Sequence, residues 1–176
     1  MSDIVKKTGL QLGIVLGTVL IVVSAYIYFV DLKLFTDVWI GMTTALGMVV
    51  FGCVAALISR KKLGGYITFR ESFSTYFITI LIGRVMVCLF SVIVSSFVLT
   101  PETKVSLKQQ MYDFNVKLMN QNLAPKEETE KMVKSWPQYD PFTPSEIITP
   151  AVKYLLRDCL IGFLAALVIR NKRALI

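Results

Sequence analysis

Apolar residues in this chain come in long unbroken blocks rather than as an alternating or heptad-like pattern. From Gly9 to Val30 there are 22 residues without a charge, and from Val38 to Ser59 another 22. A third block, Ser72 to Leu99, is 28 residues long and holds one charge, Arg84. A hydrocarbon core about 30 Å thick is crossed by roughly 20 residues of helix, so each block predicts a membrane span. A fourth block is interrupted. Only Cys159 to Ile169 is free of charge, and it reaches spanning length if the helix starts near Pro150 and carries Lys153, Arg157 and Asp158. The pattern therefore predicts an all-α, polytopic membrane protein with four transmembrane helices, at about 9–30, 38–59, 72–99 and 150–169. Residues 1–176 form one membrane domain in this reading, with an extracytoplasmic helical segment at 100–149.

Lys6 and Lys7 precede the first block as they would precede a signal peptide. A secretory apolar region, however, is about 7–15 residues and ends at small residues. Here the block ends in Tyr26, Tyr28 and Phe29, an aromatic edge suited to a headgroup boundary. The first block is expected to stay in the membrane.

The polar segment carries helix signals of its own. Thr100-Pro101-Glu102 offers a cap, a proline at the first helical position and an acid in the first turn. Leu107, Met111, Phe114, Leu118 and Met119 follow at helical spacing, one apolar stripe on a polar rod that Asn120, Gln121 and Asn122 close. A shorter helix is expected from Pro125 to Trp136-Pro137. Thr143-Pro144-Ser145-Glu146 matches a capping box, and Thr149-Pro150 is expected to restart or kink the entry to the last span. The stripe, with Trp136, is an extracytoplasmic contact surface, for a partner or for the membrane surface itself.

Composition agrees with the blocks: 55% of residues are hydrophobic, 18% are charged and the mean hydropathy is +0.62. There is no histidine, which removes the commonest general base and metal ligand. The net charge of +7 is read as membrane topology rather than nucleic-acid binding. Lys6 and Lys7, then Arg60, Lys61, Lys62 and Arg70, then Arg170, Lys172 and Arg173 flank one side of the spans. The 100–149 segment holds six lysines against seven acids. Excess Lys and Arg stays cytoplasmic, so both termini are expected inside, in a bacterial inner membrane. Cys53, Cys88 and Cys159 fall within spans and are read as packing residues.

Three groups of residues carry candidate chemistry. Arg84 costs about 2.5–3.5 kcal/mol at the centre of a span unless it is partnered. From Glu71 to Arg84 is 13 residues and from Arg170 back to Asp158 is 12, about 18–20 Å of helix in each case. Equal depth on antiparallel helices predicts an Arg84–Asp158 ion pair, with Arg157 and Lys153 farther out and snorkelling to the external interface. Gly9, Gly13 and Gly17 repeat every four residues, and Gly162 and Ala166 likewise, as faces for close helix packing; Thr75, Thr79 and Gly83 form a third. Finally, Arg60-Lys61-Lys62-Leu63-Gly64-Gly65-Tyr66-Ile67-Thr68-Phe69 combines a glycine turn, a basic cluster and aromatics. Arg60, Lys61, Lys62, Gly64, Gly65, Tyr66 and Phe69 are candidates for lipid-headgroup or partner contact.

Gly64-Gly65-Tyr66-Ile67-Thr68-Phe69, with Glu71 and Phe73, resembles the signature of a Bacteroidota membrane-protein family catalogued as domain of unknown function 4199. Lys7-Thr8-Gly9-Leu10 and Trp39-Ile40-Gly41, opening the first two spans, are similar too, and the resemblance covers essentially the whole chain. It implies a four-helix inner-membrane protein with no assigned activity. The external segment here is closer to charge balance than in the family members it resembles.

No nucleophile has a base at motif spacing and no metal-ligand cluster is present in the sequence. The reading is non-enzymatic, without cofactor: an accessory or scaffold subunit of a larger inner-membrane complex, binding lipids and other membrane proteins through its spans and external hairpin. Two alternatives stand beside it. One is an oligomeric channel or small transporter using Arg84 and Asp158, for which a homo-oligomer would build the path. The other is a membrane anchor for a polyprenyl-phosphate glycosyltransferase or for protein-export machinery.

Overall fold

The computed structural model describes residues 2–121 and 125–171, and these are all-helical apart from turns and one isolated bridge. Helix α1 runs Asp3–Phe29, α2 Val38–Lys62, α3 Phe69–Ile93, α4 Pro101–Gln121, α5 Lys126–Ser135 and α6 Pro144–Ile169. A 3-10 turn at Leu32–Thr36 joins α1 to α2, and a π turn at Val94–Val98 ends the third apolar helix. Asn122, Lys172 and Arg173, to which the sequence assigned roles, lie outside the described residues.

Three helices, Asp3–Phe29, Val38–Lys62 and Phe69–Val98, are long and apolar enough to cross a membrane, and only 22% of the apolar stretch of each is buried within the chain. α6 matches them in length, with 26 residues, but Lys153, Arg157 and Asp158 share its apolar part. Burial departs from that of a protein in water, although Leu16, Leu20, Met48, Tyr76 and Ile80 form an apolar core. Thr8, Ser59, Ser72, Thr75, Thr79 and Asp158 are buried, while Leu10, Val22, Leu46, Leu89 and Leu164 are exposed. Soluble proteins keep such polar groups outside. A lipid solvent removes the drive to bury leucine and leaves close packing and internal hydrogen bonds to hold helices together.

α3 is the centre of the bundle and touches α1, α2 and α6. It runs parallel to α1, because Gly9, Gly13 and Gly17 meet Ile78, Ile82 and Met86 in register. The approach is close: a Cβ added at Gly13 would sit 2.7 Å from Ile82 Cβ. α2 and α6 run the other way. The Tyr76 ring of α3 lies in a slot between Gly52 of α2 and Gly162 of α6, both buried. Hydroxyls bridge the same helices, Thr79 Oγ1 donating to Gly9 O at 3.3 Å and Thr75 Oγ1 to Ser59 Oγ at 3.2 Å.

Asp37 starts α2 by accepting from Trp39 N at 2.7 Å and Ile40 N at 3.3 Å. Thr68 and Glu71 start α3 with a reciprocal capping box. The expected box at Thr143 and Glu146 does not form. Glu146 Oε2 instead accepts from Tyr139 Oη at 2.8 Å, and Thr143 Oγ1 donates to Asp140 O at 3.4 Å. Nor does Pro150 restart the last helix; α6 begins at Pro144 and passes through it. Near a helix start the missing N–H forfeits one ladder bond, and the turns beyond it carry the helix on.

The Tyr139–Glu146 bond ties the polar segment to α6, and its pH response has a definite sign. Burial, then the Glu146 carboxylate, push the Tyr139 hydroxyl up to about 12 from 10.0. A raised phenol contributes stability that is complete below pH 10 and is lost as pH rises towards 12. Absorbance titration of tyrosinate should therefore lose a step near pH 12 in Tyr139→Phe; loss of a step near pH 10 instead would place Tyr139 in ordinary solvent.

Candidate functional site

One end of the bundle and its middle gather different chemistry. At one end, Lys62 Nζ donates to Thr8 Oγ1 at 3.3 Å, linking α2 to α1. Arg60 Nε donates to Gly65 O at 3.0 Å and Arg60 Nη1 to Ile169 O at 3.5 Å. Asn171 N donates to Ile67 O at 3.0 Å, so the α2–α3 loop also holds the end of α6. Gly64 and Gly65 take φ of 79° and 88°, a backbone only glycine adopts freely. Phe69 packs on Phe73 and Phe163, whereas Lys61 and Tyr66 are exposed. The basic loop thus spends Arg60 and Lys62 on closing the bundle and presents Lys61 and Tyr66 outward.

In the middle of the bundle, Arg84 Nη2 donates to Asp158 Oδ2 at 2.7 Å. Asp158 is fully buried, with a side-chain exposure of 0%. Arg157 does not snorkel away as its position suggested. Its Nε and Nη2 reach Asp158 Oδ1 at 3.1 and 2.8 Å, while the side chain stays 48% exposed. The carboxylate lowers the cost of a cation in a low-dielectric surround, and adjacency on α6 puts it in reach. Both guanidiniums also lie over the Tyr154 ring, at 5.8 Å for Arg84 and 5.2 Å for Arg157. One carboxylate and one aromatic face serve two cations. Sequence reasoning missed Arg157 and Tyr154 as members of this cluster, although Tyr154 sits three residues before Arg157, which is one helical turn.

Above that cluster lies a cavity of about 760 Å³. Leu20 to Ile27 of α1 and Val38 to Met48 of α2 supply its apolar walls, Val87 and Arg84 come from α3, and Tyr154 and Arg157 from α6. The Leu32–Thr36 turn and Met111, Phe114 and Asn115 of α4 roof it. The apolar stripe of α4 therefore faces its own chain: Leu107 is buried and Met111, Phe114 and Leu118 are half-buried. Trp136 is held inside the segment as well, between Tyr112 at 5.6 Å and Tyr139 at 5.2 Å. Of the small-residue faces, Gly9, Gly13 and Gly17 meet α3, Gly162 meets Tyr76, and Ala166 is buried. Among the described residues no group of three or more His, Cys, Asp or Glu could hold a metal ion.

The described residues are all-helical, and their three membrane-length apolar helices, inward polar groups and mid-bundle ion pair fit a membrane protein in class. Residues 11–171 match the family described as Protein of unknown function (DUF4199), and the chain belongs to that family. No curated protein and no solved structure matches it.

Proposed function

We propose that the protein is a non-enzymatic accessory or scaffold subunit of a larger complex in a bacterial inner membrane. α6 serves as its fourth span, both termini are cytoplasmic, and the 100–149 segment is extracytoplasmic. The antiparallel course of α6 against α3, and the gathering of the Lys62, Arg60 and Asn171 contacts at one end, support that orientation under the positive-inside rule. The observation that carries the accessory role is the helical arm of α4 and α5. It meets the bundle at the Leu32–Thr36 turn, buries Leu107 alone along α4, and leaves α5 without a buried residue. The remaining surface of such an arm is free to hold a partner, while Arg84 and Arg157 are both held on Asp158, at 2.7 and 2.8 Å.

The tagged full-length protein, extracted in a mild detergent, is expected to co-purify with a stoichiometric partner. Val133→Lys on exposed α5 should weaken that retention without changing membrane insertion. In intact cells a cysteine at Gly64 should be shielded from an impermeant thiol reagent and one at Gln121 should react. Labelling at Gly64 would reverse the orientation. Recovery of a lone homo-oligomer would favour the channel reading instead.

A further inference from the structure

We infer that the 760 Å³ cavity above Arg84 is a binding site for one amphiphilic anion, a phosphate or carboxylate head on a hydrocarbon group. Its size falls within the range of about 300–1,000 Å³ typical of small-molecule sites, and its walls are mostly aliphatic, with Leu20, Val23, Ala45 and Val87 among them. Its neutral polar groups are Ser24, Thr36, Thr44 and Asn115, and the charges at its inner end are cationic. Arg84 and Arg157 both line it, whereas Asp158, the carboxylate they share, is not on the wall and is fully buried behind them. Two guanidiniums against one carboxylate leave a single positive charge at the inner end of an apolar cavity. Such a charge is costly in a low-dielectric surround, and a bound monoanion completes the balance.

A second observation points the same way. Arg84 Nε is buried and has no hydrogen-bond partner among the described residues. A buried guanidinium N–H normally finds an acceptor, and an oxyanion bridging Arg84 and Arg157 would supply one. Asp37 is the acid on the lining, but it lies at the opposite end. Its Oδ1 already accepts from Trp39 N and Ile40 N, and it stands about 16 Å of helix from Met48, the innermost α2 residue of the wall. The cavity is open at a rim that includes Met42 and Tyr154, 58% and 49% exposed, so a ligand has a way in. The inference goes beyond the accessory role and does not depend on any protein partner.

The test uses the full-length protein in phosphatidylcholine nanodiscs, with binding stoichiometry read by native mass spectrometry and Tm by thermal unfolding. Dodecyl phosphate is expected to bind as one equivalent and to raise Tm. Inorganic phosphate and dodecanol, which carry the head and the tail alone, should do neither. Arg157→Gln, at a half-exposed position, should weaken binding about tenfold or more through loss of a charge-assisted contact. Ala45→Phe, which fills the cavity and leaves the charges in place, should abolish it, and Lys153→Gln, on the same helix but off the wall, should bind like the wild type. Inorganic phosphate stabilising as strongly as dodecyl phosphate would overturn the amphiphile assignment in favour of a free anion. Equal binding by wild type and Arg157→Gln, or several equivalents bound alike by all variants, would overturn the site. Should Ala45→Phe fail to fold, Arg157→Gln against Lys153→Gln decides the question alone.

Discussion

Asp158→Leu is expected to be the most damaging single substitution in the bundle, and more damaging than Arg84→Leu. Removing one partner of a buried ion pair typically costs about 3–5 kcal/mol, large against a total stability of roughly 5–15 kcal/mol. Asp158 serves two arginines, at 2.7 and 2.8 Å, so its loss takes the partner from both and strands the more buried of them, Arg84. Arg84→Leu leaves the carboxylate with Arg157, and the loss should be smaller. In the double Leu variant the surviving cation, Arg157, is half-exposed and its long stem can carry the charge towards an interface. Much of the stability should return, because apolar replacement of a buried pair is often close to neutral. Unfolding of the purified protein in detergent, for the two single variants and the double, checks all three. If Arg84→Leu costs more than Asp158→Leu, or if the single losses simply add, the carboxylate is not the pivot of the cluster.

Alanine at Gly52 and at Gly47 should move stability in opposite directions although both lie on α2. Gly47 has open space where a side chain would project, and alanine there should stabilise by up to about 1 kcal/mol through backbone entropy. At Gly52 an added Cβ would lie 2.5 Å from the Tyr76 ring. That ring is confined along its opposite edge by Gly162, so it has nowhere to retreat. Overpacking of this kind costs about 1–3 kcal/mol, and Gly162→Ala should incur a similar loss for the same reason. Tm measurements on Gly47→Ala, Gly52→Ala and Gly162→Ala in one detergent suffice. A gain or no change at Gly52 would mean that Tyr76 is not slotted between the two helices.

Depth along each helix is legible in the order of residues alone. Counting from the basic edge puts Arg84 and Asp158 at one height, and they meet at 2.7 Å, since rise per residue converts sequence number directly into height. The small-residue repeats likewise mark where helices approach. Local capping is less legible. Thr68–Glu71 and Thr143–Glu146 present the same spacing, yet only the first closes as a box, because Tyr139 captures the Glu146 carboxylate from seven residues away. Within the second stretch Ser145 adds a rival, its hydroxyl lying 3.2 Å from Thr143 Oγ1.

The sequence by itself determined which blocks become long apolar helices and the height of the Arg84–Asp158 pair, through composition and a fixed rise per residue; the helices reach Asp3, Lys62, Phe69 and Pro144, beyond the charge-free blocks. Only the tertiary structure decided direction around each helix axis. A helix that is apolar on every side carries no contrast between a core face and a lipid face. Nothing in the string therefore says that Gly52 and Gly162 grip the same ring, or that Arg157 turns inward to share Asp158. Nor does it say that α4 folds back over an apolar cavity with two guanidiniums at its inner end. Those placements follow from close packing around α3, where backbone approach at glycine and a single buried carboxylate fix which sides of the helices meet.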